Sequence, residues 1–505
     1  MSLAIAPSLL LGEHYPRMCK SRVNSKNHLN VRIPRKIIVR DIVKSEMTKG
    51  DESGPDVSKY ASMAVAAVAP LATIAVNSAI AGRTLAETAL PSSPGQGVAT
   101  MIGSPDSGML MLLTNKATEA FAAQSQADFG LVSGIPYVDA VILGLALFYL
   151  TASPGVLPGF VDTFFWSPLD LALAKKIKEE DVSLGLRLGD GTFGAVYSAT
   201  LGASRAVVVK KPKNVPGAME GADAEDWMNR RIRRSISLRP YCAPYIGTYA
   251  DDALRAKSGT RTLVWDLKGK DTLENAICDR NFPLCLEEEL FGREGTGAEK
   301  QRQLKVVKRI MSNIVQGLKQ FHKSGIVHRD VKPSNLVLMG RQYKFVDFGA
   351  ATDLRVGKNY DPEQSLLDPG YSPPEQYIMP ESTPIPPVEP VAAALSPFIW
   401  TLNRPDLFDS YSVGIILLRL ACPTLRPTNA VAPTGKFQRD LLNAEYDLDL
   451  WREKFAGPQW DFSLLDMNGG AGWDLASKLV CKRNARRRGR LSAQEILLHP
   501  FMLFA

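Results

Sequence analysis

One short stretch of this chain carries the residue types that phosphoryl transfer asks for. Ile326-Val327-His328-Arg329-Asp330-Val331-Lys332-Pro333-Ser334-Asn335 is followed closely by Lys344-Phe345-Val346-Asp347-Phe348-Gly349. Moving a phosphoryl group needs a carboxylate to orient the attacking hydroxyl and take its proton, and oxygen ligands to hold magnesium on the phosphates. Asp330 suits the first task, and Asn335 and Asp347 suit the second. Lys332 lies on the same extended stretch as Asp330 and can neutralise the moving group. His328 reads as a buried organiser of the loop, and Gly349 lets the backbone turn sharply after Asp347.

Such a centre works only if other elements bring a nucleotide to it. Leu188-Gly189-Asp190-Gly191-Thr192-Phe193-Gly194-Ala195-Val196 gives GxGxxGxV between strand-like runs. Glycines there let a hairpin close over phosphate oxygens that any β-carbon would crowd. The run Arg205-Ala206-Val207-Val208-Val209-Lys210-Lys211 then reads as a strand ending in lysine. Side chains alternate across a strand, so only one of the two lysines can face the nucleotide. We assign Lys210, with Lys211 as the alternate. Its acidic partner is expected on the helix that follows, with Glu225 first and Asp226 and Asp223 behind it. Trp265, Asp266 and Leu267 read as the strand end and hinge where adenine would sit.

The ordered set resembles a eukaryotic-type serine/threonine protein kinase. The resemblance implies an α+β, bilobal fold over 180–503, with an antiparallel sheet and one helix above a mainly helical lobe. ATP and Mg2+ are the cofactors it implies. An amphipathic helix from Gln303 to His322 precedes the catalytic loop, with apolar residues near a 3.6 period. Glu375 in Tyr371-Ser372-Pro373-Pro374-Glu375 is expected to pair with Arg490. Asp409 and Gly414 form the DxxxxG that starts a helix under the loop. Arg329 is expected either to dock a phosphate on Thr352 or Ser365 or to remain an unmodified surface arginine. A Pro-rich insert runs from Met379 to Arg404.

Composition sets the wider frame. The 505 residues are 45% hydrophobic and 22% charged, with a net charge of +8. Much of that excess lies in the first fifty residues and around Arg486–Arg490, without aromatic interleaving, so nucleic-acid binding is not expected. The six cysteines lack CxxC spacing, which argues against zinc or a disulfide framework. Residues 1–55 are basic and poor in acids, as a transit peptide is. Residues 56–136 read as a translocated segment, with helices near Leu110 to Gln126. The apolar run at 60–82 within it reads equally as a second targeting element, a weak span or a buried helix. Residues 137–157 are the transmembrane candidate, nearly the ~20 apolar residues that cross a bilayer. Phe164, Phe165 and Trp166 can form an interfacial belt, and Lys175, Lys176 and Lys178 put the C-terminal side in the compartment of synthesis.

Further runs are more specific than a generic kinase. Thr151-Ala152-Ser153-Pro154-Gly155-Val156-Leu157-Pro158-Gly159-Phe160, Trp227-Met228-Asn229, Asp353-Leu354-Arg355-Val356-Gly357, Pro374-Glu375-Gln376-Tyr377-Ile378-Met379 and Pro390–Pro397 resemble the state-transition kinase family of thylakoid serine/threonine kinases of plants and green algae. The resemblance spans about residues 137–503. It implies a chloroplast transit peptide, a thylakoid span, a lumenal segment and a stromal kinase domain. Residues 83–136 lack the cysteine pair of the branch acting on light-harvesting complex II. The resemblance is therefore nearer to the branch acting on photosystem II core subunits. Arg230 stands where the family usually has Glu, which leaves Glu225 as the expected ion-pair acid.

Overall fold

Alternation along the valine-rich strand builds the upper lobe. Val207 and Val209 are fully buried on one face of β3 (Arg205–Pro212), joined by Ala199, Tyr249 and Val264. Lys210 is turned to the other face. The computed structural model describes residues 144–503 apart from 145, 152–153, 175–176, 192, 251–260, 359–367, 377, 380–388 and 484–488. The expected transit peptide and the segment before 137, with its apolar run at 60–82, lie outside the described residues, as do Ser365, Lys175 and Lys176.

β3 is the middle of a five-stranded antiparallel sheet, ordered β1-β2-β3-β5-β4. Its other strands are β1 (Val182–Asp190), β2 (Gly194–Leu201), β4 (Tyr245–Ala250) and β5 (Arg261–Asp266). Val196 pairs with Lys210, and Lys210 with Leu263, which fixes the register beneath the glycine loop. Upstream lie α1 (Val156–Val161), a π-helical turn at Asp162–Trp166, and α2 (Ser167–Leu173). The helix α3 (Ala218–Arg234) packs on β4 and β5. Its inner face, with Tyr245, Trp265, Val337 and Met339, closes a second small core.

The lower lobe is helical. In α4 (Glu299–Lys323), Leu304, Val307, Ile310, Met311, Ile314, Leu318 and Phe321 are buried, as the 3.6 period predicts. The insert contains α5 (Glu389–Asn403), and α6 (Leu407–Ala421) follows it. Every residue of α6 is buried, so it is the strut around which the lobe assembles. It packs against α4 and against α7 (Ser463–Leu479), which is broken at Met467–Gly470. The catalytic residues sit between the lobes on β6 (Ile326–Val327), β7 (Leu336–Met339), β8 (Gln342–Phe345) and β9 (Thr352–Asp353) and the loops joining them.

The expected span needs a correction at its C-terminal end. Residues 146–151 are helical, but the chain bends at Pro154 and α1 begins at Val156. Val156 is fully buried against Phe160 and Ala393, so the last residues of 137–157 belong to the folded domain. Among the described residues no helix is long and apolar enough to cross a membrane. Residues 137–143 lie outside them. Of the expected aromatic belt, Phe164 stacks on Phe160, while Phe165 and Trp166 face outward.

Candidate active site

The catalytic loop is held from below by one carboxylate. Asp409, at the first turn of α6, is fully buried. Its Oδ2 accepts the His328 N–H and its Oδ1 the Arg329 N–H, each at 2.9 Å. His322 Nε2 lies 2.9 Å from the same Oδ2. Arg329 holds φ at 65° and Asp347 at 60°, a left-handed backbone that costs a non-glycine residue about 1–3 kcal/mol. At Arg329 the hydrogen bonds to Asp409 fix that conformation. The expected phosphate dock does not form on Thr352, which is fully buried in β9 and donates to the Lys358 carbonyl. Arg329 Nε instead donates to the Ala350 carbonyl.

His328 fills the space above Asp409 as an apolar wedge. Its ring lies 4.9 Å from Phe348 and 5.4 Å from Phe345, and neither ring nitrogen has a hydrogen-bond partner. Burial pushes its pKa down, so the ring stays neutral.

The expected reacting side chains converge. Asn335 Nδ2 donates to Asp330 Oδ2 at 2.8 Å and to the Asp330 carbonyl at 2.9 Å. Lys332 Nζ lies 3.0 Å from the same Oδ2. Asp330 Oδ1 is buried with no hydrogen-bond partner, and the residue lines the cleft. Burial raises the Asp330 pKa and Lys332 opposes the shift, which favours proton acceptance over a fully solvated carboxylate. Lys332 also reaches Asp368 Oδ2 at 3.3 Å. Asp368 was not anticipated from the sequence; its one signal is an acidic residue seven places before Glu375.

On the opposite wall, the alternatives left open by the sequence are resolved. Lys210 Nζ lies 2.7 Å from Glu225 Oε2 and 2.9 Å from Asp347 Oδ1. Lys211, next along β3, takes the other face. Asp226 is taken up by Tyr245 Oη at 2.5 Å and Arg230 at 2.8 Å, and Asp223 lies at the surface. Burial pushes Glu225 up to about 7, against the pull of Lys210. Asp347 is held below the usual range by Lys210 despite its own burial. Of the two carboxylates on Lys210, Asp347 therefore keeps its charge more readily.

These groups line a cleft of about 530 Å³ together with Gly191, Phe193, Gly194, Leu263 and Gly349. A β-carbon on Gly194 would stand 3.2 Å from the Lys211 carbonyl and 3.3 Å from two Lys210 side-chain carbons. The loop closes there because the residue has no side chain. Gly189 faces Val196 across the hairpin, and Thr192 lies outside the described residues.

Five of the residues expected at the nucleotide are placed as follows. Leu188 is exposed on β1, and the Asp190 carboxylate turns outward to Lys213 at 2.5 Å and Arg187 at 2.6 Å. Trp265 is buried in the core beneath β5, donating its indole N–H to Asn229 Oδ1 at 3.1 Å. Asp266 and Leu267 give their backbone N–H groups to the Pro244 and Ala206 carbonyls, so only their carbonyl oxygens remain for adenine. Leu263, two places before Trp265, lines the cleft in its stead.

The segment that ends the loop is anchored as expected. Glu375 accepts from both terminal guanidinium nitrogens of Arg490, at 2.5 and 2.9 Å. Arg419 adds a buried link to Tyr371 Oη at 2.6 Å and to Glu274 at 2.5 and 3.0 Å, which the sequence did not suggest. The donor set left for a cation is Asp347 with the Asn335 side-chain oxygen. Hard oxygen ligands of this kind suit magnesium.

The protein kinase domain family matches residues 183–385. The chain is 43% identical over 397 residues to the chloroplastic serine/threonine-protein kinase STN8 of Arabidopsis thaliana, covering 72% of this chain and 79% of that one. It is 38% identical over 370 residues to chloroplastic STN7 of the same plant, covering 70% of this chain and 63% of the relative. Among solved structures, a Stt7 homologue from Micromonas algae soaked with ATP is similar with a TM-score of 0.55 and 29% identity. That likeness covers 65% of this chain and 93% of the algal one. By these identities and coverages the chain belongs to the state-transition kinase family of serine/threonine protein kinases, nearer to STN8 than to STN7.

Proposed function

We propose that this kinase is anchored in the chloroplast thylakoid membrane, with its catalytic domain on the stromal side, and phosphorylates photosystem II core subunits. The observation that carries the catalytic part is the convergence of Asp330, Lys332 and Asp347 on a cleft roofed by the glycine loop, with Asn335 bonded to Asp330 behind them. Asp330 orients a serine or threonine hydroxyl and takes its proton through Oδ1. The hydroxyl oxygen bonds to the γ-phosphorus while the bond to the β-phosphate oxygen breaks, releasing ADP. Lys210, positioned by Glu225, holds the α- and β-phosphates, and Lys332 screens the charge on the group in flight. Asp347 and Asn335 are the residues that would hold Mg2+, which when bound spreads negative charge over the phosphate oxygens.

Membrane anchoring is supported by where apolar surface remains exposed. On α5, Val391, Leu395, Phe398 and Leu402 are exposed at a spacing that forms one stripe. Tyr149, in the second half of the expected span, meets Phe398 at a ring distance of 5.6 Å. Phe165, Trp166, Leu169 and Leu173 expose a second stripe nearby in sequence to that span. Lipid at the membrane interface is the natural cover for both. The names of the relatives supply the chloroplast, and the higher identity to STN8 supports core subunits over antenna.

Phosphoproteomics of thylakoids from a strain expressing only the Asp330→Asn form tests this reading. Core-subunit phosphorylation should be lost while antenna phosphorylation persists. Loss of antenna sites alone would transfer the assignment to light-harvesting complex II, and no change in either would end it.

A further inference from the structure

The strongest unassigned feature is a group of charges behind α3, away from the cleft. The last turns of α3 carry Arg230, Arg231, Arg233 and Arg234, a placement favourable at a helix C-terminus. The segment before the sheet supplies their partners. Asp162 accepts Arg234 Nε and a terminal nitrogen, both at 2.9 Å, and lies 3.3 Å from Arg231. Asp170 accepts Arg233 at 2.7 Å and stands 3.6 Å from Arg230. Arg231 continues to Asp353 of β9 at 3.2 Å, just beyond the metal-binding loop. Asp162, Arg231 and Asp353 are all buried. The segment bearing the two aspartates is itself docked, through Val156 and Phe160 against Ala393 of the insert helix.

Glu225 sits on this same α3, and its contact with Lys210 depends on how the helix is seated. Swinging α3 outward would strand buried charges, which is costly once a partner is withdrawn. We propose that Asp162 and Asp170 are positioning residues for phosphoryl transfer, clamping the arginine end of α3 so that Glu225 meets Lys210. Arg231 ties the same clamp to β9, so the helix and the strand after the metal loop are set together. The segment between the expected anchor and the sheet is thus part of the working kinase. This inference rests on kinase activity alone and is independent of the substrate and membrane assignments.

The test uses the full chain in detergent micelles, with a threonine peptide that the wild type phosphorylates. Asp162→Asn should lower kcat by about ten-fold, a coupling within the range carried by residues remote from a ligand. KM for the peptide should not move, and Asp162→Glu should restore most of the rate. The deciding measurement is Asp162→Asn combined with Glu225→Gln. If Asp162 acts through Glu225, the double variant is no slower than the slower single variant. Multiplied effects, or a wild-type kcat for folded Asp162→Asn, would overturn the proposal. Should Asp162→Asn fail to fold, Asp170→Asn, at the less buried pair, enters the same cycle with about a three-fold loss expected. An unchanged or purely multiplicative result there overturns it equally.

Discussion

The two walls of the cleft are built on different physical principles. The lower wall is set by packing and by backbone N–H groups bonded to one buried carboxylate: Asp409 takes two loop N–H groups, and His328 is wedged among phenyl rings. The upper wall is set by charge: Lys210 between two carboxylates, and arginines on the far end of α3 held by Asp162 and Asp170. Buried backbone bonds have one good arrangement, whereas ion pairs can re-form with other partners. The lower wall is therefore a fixed jig. The upper wall is the part that a ligand, a partner or a change in proton concentration can shift.

Four measurements bear on that contrast. Asp330→Asn removes the proton acceptor without disturbing the jig; it should cost about a thousand-fold in kcat while ATP still binds, which isothermal titration can check. Asp409→Asn attacks the jig itself. It should lower stability by about 3 kcal/mol, because one of the two accepting oxygens becomes an NH2 donor and leaves a buried N–H without an acceptor, and denaturant unfolding reads this directly. A smaller loss would mean that the loop is held by its packing alone. Glu225→Gln on the upper wall should reduce kcat by roughly ten-fold with little change in melting temperature.

The fourth measurement concerns pH. Burial sets Glu225 at about 7 in the ligand-free protein, above the usual glutamate range. Between about 4.5 and about 7 the folded state holds a proton that the unfolded state has lost. That contribution to stability is present at the acid end and fades as pH rises through 7. Activity should run the opposite way, falling as pH drops from 8 to 6 and Lys210 keeps only Asp347 as a charged partner. Thermal melts and initial rates across that range, compared with the same series for Glu225→Gln, check both signs. Parallel trends would show that Glu225 keeps its charge throughout.

The lower wall was legible in the sequence because its chemistry is local. Asp330, Lys332, Asn335 and Asp347 stand at fixed offsets within two short runs, and the pairing of Glu375 with Arg490 needed only one long-range assumption. The hinge was harder to read. Leu263 and Trp265 share a face of β5, and only tertiary packing against Asn229 decides which of them reaches the cleft. Asp190 looked like part of the phosphate loop, yet its carboxylate found lysine and arginine at the surface. The clamp behind α3 was illegible for another reason. Asp162 and Asp170 lie in a run whose apolar residues dominate its pattern, and their partners are 72 and 63 residues away. Arg230, which departs from the family's usual residue, gained its meaning only beside Asp170 and Asp226.

The imidazole of the catalytic loop has a consequence for how any acid limb in the rate is assigned. Neither nitrogen of the His328 ring has a hydrogen-bond partner, and burial keeps the ring uncharged against the pull of Asp409, Asp330 and Asp347. A kinetic transition near neutrality in this enzyme is therefore not set by that ring. Exchanging that histidine for an aromatic hydrocarbon should leave the midpoint of the transition where it was.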